Sequence, residues 1–585
     1  MNYSRFLGLL GCTVLLLASQ LWVGPQGTGG EGKPMPGTAI AQASQDTDPC
    51  LYVCAQTGSD DQPGTQDSPL RTLQKAADLA APGTVIRVFP GVYVEQVLVS
   101  RSGTWEKPIV FESILWRGAV MTDRACCFKQ VGNASYITIR GFWFRDCPLA
   151  DGGLFQTQVI VPSTGWRVED CRFTRCGVGL GYDRRATDTS YTAVVRCVFE
   201  DMAATASWAW ASQGQRMKGH LLQDTIFRRC NGINNDPAWQ GQGAKYGYTQ
   251  DLMVDGLICY DNNGPGLWLD WNNDGFTVQN GTFFGNHAGW AYANFTDQSL
   301  SNTWWIGDGI VSECNGSGLI QNNVVYSNLG AGIAVWESGH LGGVTVRGNL
   351  LVENGINLEL RAMGRKDFGD PAWIEGVKVL GNQFKGWKYG CWMTASLDHT
   401  LKGKAKPADA RCEFEGNTYQ ITASSLNGLY GKWLAQWTKS LGEMREVFGV
   451  ELGGEEGEIP FAATLTPVHD TQLEDAGTRN MWQVPSGAAE ANDFETVLRT
   501  AQVGDLITLP VTGRKAIQED RGRWRTTLYD LSMRQATLWM DGEGKAWVQE
   551  RVNAYASIDQ QPVKIRITQL EPYAVQGEYV PQEGR

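Results

Sequence analysis

A short phrase recurs between residues 135 and 420, and it limits how this chain can fold more than any other feature. In each copy, alternating apolar residues lead to a small or polar turn residue, further apolar residues follow, and Asn or Cys then precedes Gly, as in 166–177 and 344–355. The two turn residues of a copy lie five positions apart, as Cys171 and Cys176 do. The second turn residue marks each copy: Cys147, Cys176, Met202, Cys230, Asn262, Asn286, Asn328 and Asn354.

The spacing of these markers predicts a parallel β-helix. Four of the seven steps measure 24–28 residues, the length of one coil made of three short strands and their turns. Stacked coils lie ~4.8 Å apart and share backbone hydrogen bonds, so that no coil can bury its apolar side alone. We expect each Asn to stack inside a bend, and Cys or Met to fill the same position as a small apolar plug. Accidental spacing in a sandwich or globin-like fold is disfavoured, because eight copies keep the pattern. The two longest steps, 32 and 42 residues, predict loops near 231–250 and 295–318.

The apolar end of such a stack must be covered, and residues 52–91 have the pattern of a cover. A short strand and a Gly/Pro turn precede an amphipathic helix that the sequence predicts to open at Ser68-Pro69 and to close before Pro82-Gly83. Thr84–Phe89 then begins the first coil. This block resembles the N-terminal block of secreted right-handed parallel β-helix proteins, including polysaccharide lyase family nine. The segment 261–270 resembles one found in bacterial β-helix proteins. The resemblance covers roughly residues 50–420 and implies a right-handed, pectate-lyase-like helix.

The flanking segments divide the chain further. Residues 1–23 contain an apolar run typical of an export signal, and the sequence leaves open whether this run is cleaved or kept as a membrane tether. Residues 24–48 are predicted to be a flexible linker, 49–425 the β-helix, and 426–460 a helical cap with an acidic linker. Residues 461–585 predict a small α+β or β-rich accessory domain, with a helix at 493–501 and strands at 505–510, 524–529, 536–540 and 563–570. The fold class is therefore all-β, with an N-terminal capping helix.

Composition restricts the partners. The net charge of −12 argues against nucleic acid, and it requires local Lys/Arg or a bound cation if the substrate is acidic. Five His without ligand spacing disfavour a His-based zinc site, and 14 Cys allow disulfides without forming a dense framework. We expect a monomer that is secreted, periplasmic or displayed at the cell surface.

Residues one coil apart stack into columns, and one predicted column is charged. Lys245 and Asp270 are 25 residues apart, and Glu337 and Glu359 fall near the same column on later coils. Trp268, Trp271, Trp336 and Arg361 lie around these coils as candidate substrate-binding residues. The alternatives are a sugar-binding groove with exposed indoles, or a surface ion-pair ladder with indoles in the core.

The resemblance to lyases implies β-elimination on an acidic polysaccharide. In those enzymes Lys or Arg is the base and Ca²⁺ held by Asp neutralises the product charge, which suggests Lys245 as base and Asp261, Asp270 and Asp274 as Ca²⁺ ligands. An Asp one coil from Lys245 stabilises the ammonium, so this reading nearly requires the metal. The family's calcium cluster would align with 262–266, where no carboxylate stands, and no Lys stands where that family keeps its base.

Two other functions remain open. Asp270 with Glu337 or Glu359 could form the carboxylate pair of a glycoside hydrolase. A glycan-binding or surface protein without catalysis is the third reading. The prediction from sequence is an exported, carbohydrate-active protein of the lyase type, with Lys245, Asp270, Glu337 and Glu359 as catalytic candidates.

Overall fold

The part of the chain whose structure is described lies mainly between residues 49 and 461. The computed structural model describes 49–148, 158–182, 189–211, 215–232, 241–287, 307–336, 343–362, 374–396 and 406–461 apart from 424, 426–427 and 435, together with the backbone of strands between 506 and 580. Glu337, the N-terminal segment 1–48 and the predicted helix at 493–501 lie outside these residues. Within them, no helix has both the length and the apolar character needed to cross a bilayer.

Thirteen parallel strands form the first sheet, and each is hydrogen-bonded to the corresponding strand of the next coil. They are Cys50–Val53, Val85–Val88, Ile109–Ser113, Ile137–Arg140, Arg167–Glu169, Ala193–Val195, Leu221–Gln223, Met253–Asp255, Phe276–Gln279, Gly318–Gln321, Val344–Arg347, Lys378–Leu380 and Glu413–Glu415.

A second and a third line of parallel strands complete each coil, and we call them the second and the third sheet. Two long strands, Leu350–Ala362 and Gln383–Ser396, run through both and join them by hydrogen bonds. The other strands of the second sheet are Gly91–Tyr93, Ala119–Met121, Phe142–Arg145, Arg172–Thr174, Val198–Glu200, Ile226–Arg228, Ile258–Tyr260, Thr282–Phe284, Val324–Tyr326, Thr418–Gln420 and Glu455–Glu456. Those of the third sheet are Val97–Val99, Phe128–Gln130, Gln158–Val161, Val178–Gly181, Ser207–Trp210, Ala244–Gly247, Leu267–Leu269, Ile310–Glu313, Ala331–Trp336 and Gly431–Trp433. A short parallel pair, Met217–Lys218 with Thr249–Gln250, lies beside them. The parallel β-helix is confirmed.

The core is a set of apolar columns inside the coils. In the first sheet one register line contains only apolar residues, each at most 2% exposed: Ile86, Phe111, Ile139, Val168, Val194, Leu222, Val254, Val278, Ile320, Val346, Val379 and Phe414. In the second sheet the rings of Phe144, Phe173 and Phe199 stack with centroids 4.6 and 4.2 Å apart. Because β-branched and aromatic side chains pack well on a pleated surface, the same residue types repeat from coil to coil.

The recurring turn residues form buried ladders, as the sequence predicts. In one ladder the side-chain amide of each Asn donates to the amide oxygen of the next, in the order Asn262, Asn286, Asn328 and Asn354. The three nitrogen–oxygen distances are 2.9 Å. Cys147, Cys176, Met202 and Cys230 occupy the same line at the other end of the stack and are buried. Among the described cysteines all 13 are free thiols, so the disulfides that the sequence allows are not formed there.

The N-terminal end of the stack is covered by the helix Leu73–Leu79, which begins four residues later than its predicted opening. The hydroxyl of Thr72 accepts from the N–H of Lys75 and caps the helix. Leu73, Ala76 and Ala77 are buried in the core of the coils. The predicted capping role of this segment is confirmed.

The C-terminal cover differs from the predicted helix at 432–449. Gly431–Trp433 and Gln436–Thr438 form an antiparallel hairpin, and only Leu441–Glu443 and the π turn Met444–Phe448 are helical. The apolar residues of this segment have helix-like spacing for a local reason. Leu434 has a φ of 54° and turns the chain, so the alternation of apolar and polar residues in the first strand begins again in the second. Glu451 ends a second amide ladder, since its carboxylate accepts from Asn417.

Two further predictions concern loops and the C-terminal region. The spans 231–250 and 295–318, predicted to contain loops, include the strands Ala244–Gly247 and Ile310–Glu313. The parts 233–240 and 295–306 of these spans lie outside the described residues. The four strands predicted after residue 461 are present in an eight-stranded antiparallel sheet. Its strands are Leu506–Leu509, Gly513–Arg514, Gln518–Asp520, Arg523–Tyr529, Gln535–Asp541, Lys545–Arg551, Val563–Glu571 and Ala574–Val580.

The amide ladder predicts a strong effect of Asn328→Asp. Asn328 donates to Phe283 and Asn354 and accepts from Asn286, so a carboxylate would lose both donations and bury an unpaired charge. We expect a loss of at least about 2 kcal/mol in the free energy of unfolding, measured by urea denaturation. Asn322→Asp, at an exposed turn position, is the matched control and should change stability by less than about 0.5 kcal/mol. A loss that small for Asn328→Asp would contradict the buried ladder.

Candidate functional site

The outer side of the third sheet carries two adjacent register lines of polar and aromatic side chains. The first line runs through Lys245, Trp268, Val311, Ala334 and Glu359. The second line, two residues further along each strand, contains Glu313, Trp336 and Arg361, and Asp270 directly follows the strand that bears Trp268. Because alternate residues of a strand point to the same side, these side chains share one surface, which we call the belt.

The belt is buried although it lies outside the coil. Trp268, Val311, Ala331, Ala334 and Trp336 form an apolar cluster separate from the core inside the coils. The two indoles are each 1% exposed, Glu313 is fully buried and Glu359 is 4% exposed. The ammonium-bearing side chain of Lys245 and the side chain of Asp270 are 12% and 11% exposed. Charged groups are therefore held in surroundings of low polarity, where each needs a partner.

Each indole of the belt donates to a carboxylate. Trp268 Nε1 donates to Glu313 Oε2 at 3.1 Å, and Trp336 Nε1 donates to Glu359 Oε2 at 2.9 Å. Since a carboxylate can accept several hydrogen bonds, the indoles fix the orientation of both acids.

Two cations complete the belt. Lys245 Nζ lies 2.9 Å from Asp270 Oδ2 and 3.9 Å from the centroid of the Trp268 ring. Arg361 forms an ion pair with Glu359 and lies 5.5 Å from the centroid of the Trp336 ring. Both cations therefore combine an ion pair with a cation–π contact. The two ion pairs lie toward opposite ends of the belt, because four register steps, roughly 19 Å, separate Lys245 from Glu359.

Asp308 is a further acid beside the belt. Its Oδ1 accepts from the backbone N–H of Ala331, and its Oδ2 is buried without a hydrogen-bond partner among the described residues. Burial and the negative charge of Glu359 raise the pKa of Asp308 to about 7, although the hydrogen bond from Ala331 and the charge of Arg361 oppose the rise. A carboxylic acid that keeps its proton near neutral pH can donate that proton to a bound group.

The predicted catalytic residues are only partly brought together. Lys245 and Asp270 are in contact, although the register partner of Lys245 is Trp268 rather than Asp270. Glu359 shares the register line of Lys245, as the sequence predicts, but lies three steps from the coil of Asp270, which is too far for the predicted Asp270–Glu359 pair. Glu337 lies outside the described residues.

The predicted Ca²⁺ ligands each have a different partner. Asp261 lies 3.2 Å from His287 Nε2, Asp270 is paired with Lys245, and Asp274 Oδ2 lies 2.8 Å from Arg216. Within the described ranges no three Asp, Glu, His or Cys side chains are grouped so that they could hold a metal ion. Because Ca²⁺ takes six to eight oxygen ligands, the three aspartates as placed do not fit the predicted site. A bound Ca²⁺ stays a prediction.

The predicted substrate-binding residues differ in their exposure to solvent. Trp268, Trp336 and Arg361 lie in the belt and are buried, so the indoles do not form the exposed groove that one alternative describes. Trp271 lies just beyond Asp270 and is half-buried.

Sequence reasoning missed Glu313, Asp308 and Lys432. The markers Asn286 and Asn328 are 42 residues apart, and the residue 42 positions after Asp270 is the neighbour of Glu313. The spacing of the markers could therefore have placed Glu313 on the coil next to Asp270. Lys432 lies in the register line of Glu359, two steps further along the stack. Burial lowers the pKa of Lys432, and the negative charge of Glu359 opposes the decrease. No spacing rule reveals Asp308, which precedes its strand.

Comparison with known families gives the hand of the coil. Residues 159–351 match the family described as right-handed β-helix region, which confirms a right-handed parallel β-helix. Residues 56–98 match a family of unknown function, DUF1565. An uncharacterized protein of Bacillus subtilis, YwoF, is 39% identical over 88 residues, which are 15% of this chain and 18% of that protein. The match therefore spans less than a fifth of that relative.

Solved structures with a similar backbone have low sequence identity to this chain. XylC in complex with xylose is 12% identical with a TM-score of 0.46, over 82% of this chain and 89% of that one. The A-module of the mannuronan C-5 epimerase AlgE6 of Azotobacter vinelandii is 14% identical with a TM-score of 0.44, over 70% of this chain and all of that one. No residue role is carried over from either.

The raised pKa of Asp308 predicts a pH-dependent stability difference between the wild type and Asp308→Asn. The folded state binds the proton more tightly than the unfolded state, so this group's contribution is present at low pH and is lost as the pH rises toward 7. Asn keeps the acceptor for Ala331 and does not ionise. We expect the variant to gain stability relative to the wild type between about pH 4 and 7, by at most about 1.4 kcal/mol per pH unit. Parallel denaturation curves at each pH would measure this gain, and an unchanged difference would show that Asp308 ionises normally.

Proposed function

We propose that this protein is an exported glycan-cleaving enzyme that hydrolyses a glycosidic bond at the belt, with Asp308 as general acid and Glu359 as general base. One observation carries the proposal: Asp308 is a buried carboxyl with a raised pKa, and its Oδ2 has no hydrogen-bond partner among the described residues. The charge of a second carboxyl, Glu359, contributes to that rise, and Glu359 is itself oriented by a cation and an indole. Two carboxyl groups in unlike environments are the requirement of glycoside hydrolysis.

Asp308 has the properties of the acid. Its Oδ1 is used by the N–H of Ala331, which leaves Oδ2 as the oxygen that carries the proton. With a pKa of about 7 it is mostly protonated in mildly acidic solution and about half protonated at neutral pH. The proton would pass from Oδ2 to the glycosidic oxygen as the bond to the leaving sugar breaks.

Glu359 has the properties of the base. Arg361 and the Trp336 indole bind its two oxygens and leave further lone pairs for a water molecule. Ile310, two residues after Asp308, is in register with Ile333, and Ile333 with Leu358, the neighbour of Glu359. The two acids therefore belong to coils that are two register steps, roughly 10 Å, apart. Inversion at the anomeric carbon, in which a water molecule lies between the two carboxyl groups, is the form of hydrolysis that we propose.

The ion pair at Lys245 favours hydrolysis over elimination. Lys245 Nζ is held by Asp270 Oδ2 at 2.9 Å and lies over the Trp268 ring, so that its position is fixed by an ion pair within the protein and not by a substrate. In the belt Lys245 is better suited to hydrogen-bond a sugar, since it reaches solvent more than its neighbours do.

The apolar part of the belt supports a sugar as the ligand. Trp268, Val311 and Trp336 place aromatic and aliphatic groups next to charged hydrogen-bonding groups, and pyranose rings bind to this combination once it is open to solvent. Because the belt is buried, a sugar can bind only if the residues that cover it move, and turnover tests this directly.

Hydrolysis is tested with a panel of neutral and acidic polysaccharides, by assay of new reducing ends. Asp308→Asn and Glu359→Gln should each lower kcat by about 10²–10⁴-fold, the usual contribution of a general acid or base. Asp123→Asn, at an exposed turn away from the belt, is the matched control and should keep full activity. Wild-type activity should fall as the pH rises above about 7, because Asp308 loses its proton.

Other results would identify a different function. Products that absorb in the ultraviolet without a requirement for Asp308 would show elimination, and Lys245→Ala would then abolish turnover. Retention of glycans without any product, at all pH values, would show a binding protein. Product that initially has the same anomeric configuration as the substrate would contradict the proposed inversion.

A further inference from the structure

A second group of aromatic and cationic side chains lies on the outer side of the second sheet, near the N-terminal end of the stack. It consists of Trp116, Arg117, Trp143, Arg145 and Arg172, which we call the arginine–tryptophan patch. Trp143 and Arg172 are register partners on neighbouring coils. The N–H of Arg117 donates to Gly141 at 2.7 Å, which places the turn that bears Trp116 and Arg117 beside the strand of Trp143. The patch is therefore formed by three successive coils.

The guanidinium groups of the patch lie against its indoles. The Arg117 guanidinium carbon is 4.0 Å from the centroid of the Trp116 ring. Those of Arg145 and Arg172 are 4.9 and 5.7 Å from the centroid of the Trp143 ring. These contacts hold the planar donors near the rings while leaving their edges available.

The indoles themselves are fixed by the protein. Trp116 Nε1 donates to the carbonyl of Asp170 and Trp143 Nε1 donates to Thr174 Oγ1, both at 3.1 Å. Trp116 is nevertheless 44% exposed, and its neighbour Leu115 is 57% exposed. An aromatic surface that is rigid and open to solvent is preorganised for a ligand with a flat apolar face.

Two of the arginines have few partners of their own, since neither Arg117 Nε nor Arg145 Nε has a hydrogen-bond partner among the described residues. Among the described residues Arg117 makes no ion pair, and its Nε is buried without a hydrogen-bond partner. Burial lowers the pKa of Arg117, and the nearby charge of Arg172 lowers it further. Arg145 Nε lies 3.5 Å from Asp146, a carboxylate that Arg175 holds more closely at 2.6 Å. An anion that binds here would supply the charge that the patch lacks.

We infer that the arginine–tryptophan patch binds an acidic polysaccharide, with sugar carboxylates on Arg117 and Arg145 and sugar rings on Trp116 and Trp143. A chain with a net charge of −12 repels a polyanion except where cations are concentrated, and the patch provides such a place. Because their N–H groups donate to the protein, both indole rings are held in fixed positions. Fixed rings suit a ligand of defined shape, such as a sugar ring, better than a fluid lipid surface. The choice of a glycan rests on the proposed function, but the patch lies on a different line of strands from the belt.

The experiment measures binding of the full chain to polygalacturonate and alginate by affinity electrophoresis, with a neutral galactan for comparison. Arg117→Gln with Arg145→Gln should raise Kd for the acidic polymers by about tenfold or more and leave the neutral polymer unaffected, because charge-assisted hydrogen bonds are lost. Arg347→Gln with Lys378→Gln, two exposed residues on the first sheet, removes the same charge and should change Kd little. Arg117→Lys with Arg145→Lys should bind with intermediate affinity, since charge remains without the guanidinium fork.

Equal Kd values for the two double Gln variants would overturn the inference. Binding to phosphatidylserine vesicles that depends on Arg117 and Arg145, without binding to the acidic polymers, would also overturn it and identify an anionic headgroup as the ligand. Asp308→Asn separates the two proposals. If it is inactive but binds polygalacturonate as the wild type does, both stand. If the wild type binds through the patch but cleaves no polymer, only the proposed hydrolysis fails.

Discussion

The hydrogen bonding of each coil to the next is the interaction on which the rest of the structure depends. A single coil exposes its apolar side chains at both ends and its backbone groups at both edges, so it is stable only between neighbours. The register between coils then places like residues above one another. The amide ladders add to this, because each Asn both accepts from one neighbour and donates to the next, as Asn286 does between Asn262 and Asn328. Their geometry is satisfied only when every coil keeps the same turn.

The same register creates the outer surfaces. Trp268 and Glu313 are 45 residues apart in the chain, and their side chains meet because their strands are adjacent. Nothing in the stacking of the coils requires a carboxylate at the outer side of the third sheet. Burying ion pairs such as that of Arg361 and Glu359 costs desolvation free energy that their attraction scarcely exceeds. Oδ2 of Asp308 likewise lacks a hydrogen-bond partner among the described residues, and a buried polar atom of this kind contributes nothing to stability.

The belt and the arginine–tryptophan patch differ in the surroundings of their charged groups. In the belt, burial raises the proton affinity of Asp308 until the acid form is held near neutral pH. In the arginine–tryptophan patch, guanidinium groups lie on rings and Arg117 lacks a carboxylate partner among the described residues. The first arrangement is suited to proton transfer and the second to the binding of an anion. An enzyme that acts on a long acidic polymer requires both properties, at separate places along the chain that it binds.

The sequence by itself determined the fold, because the markers of each coil are local and repeat. The columns of Cys and Asn, the N-terminal capping helix and the strands of the C-terminal region were all predictable from spacing and residue type. The helix predicted at 432–449 failed in its first half, since one left-handed residue, Leu434, made a strand pattern look helical. The site depended on the tertiary structure for a different reason. The position of a residue in an outer column depends on the length of every coil before it. The 42-residue step shifted the predicted register, so that Asp270 was paired with Glu337 or Glu359, whereas Glu313 lies on the coil next to it. Burial is the main cause of the raised pKa of Asp308. It depends on how the coils pack together, so no local sequence pattern predicts it.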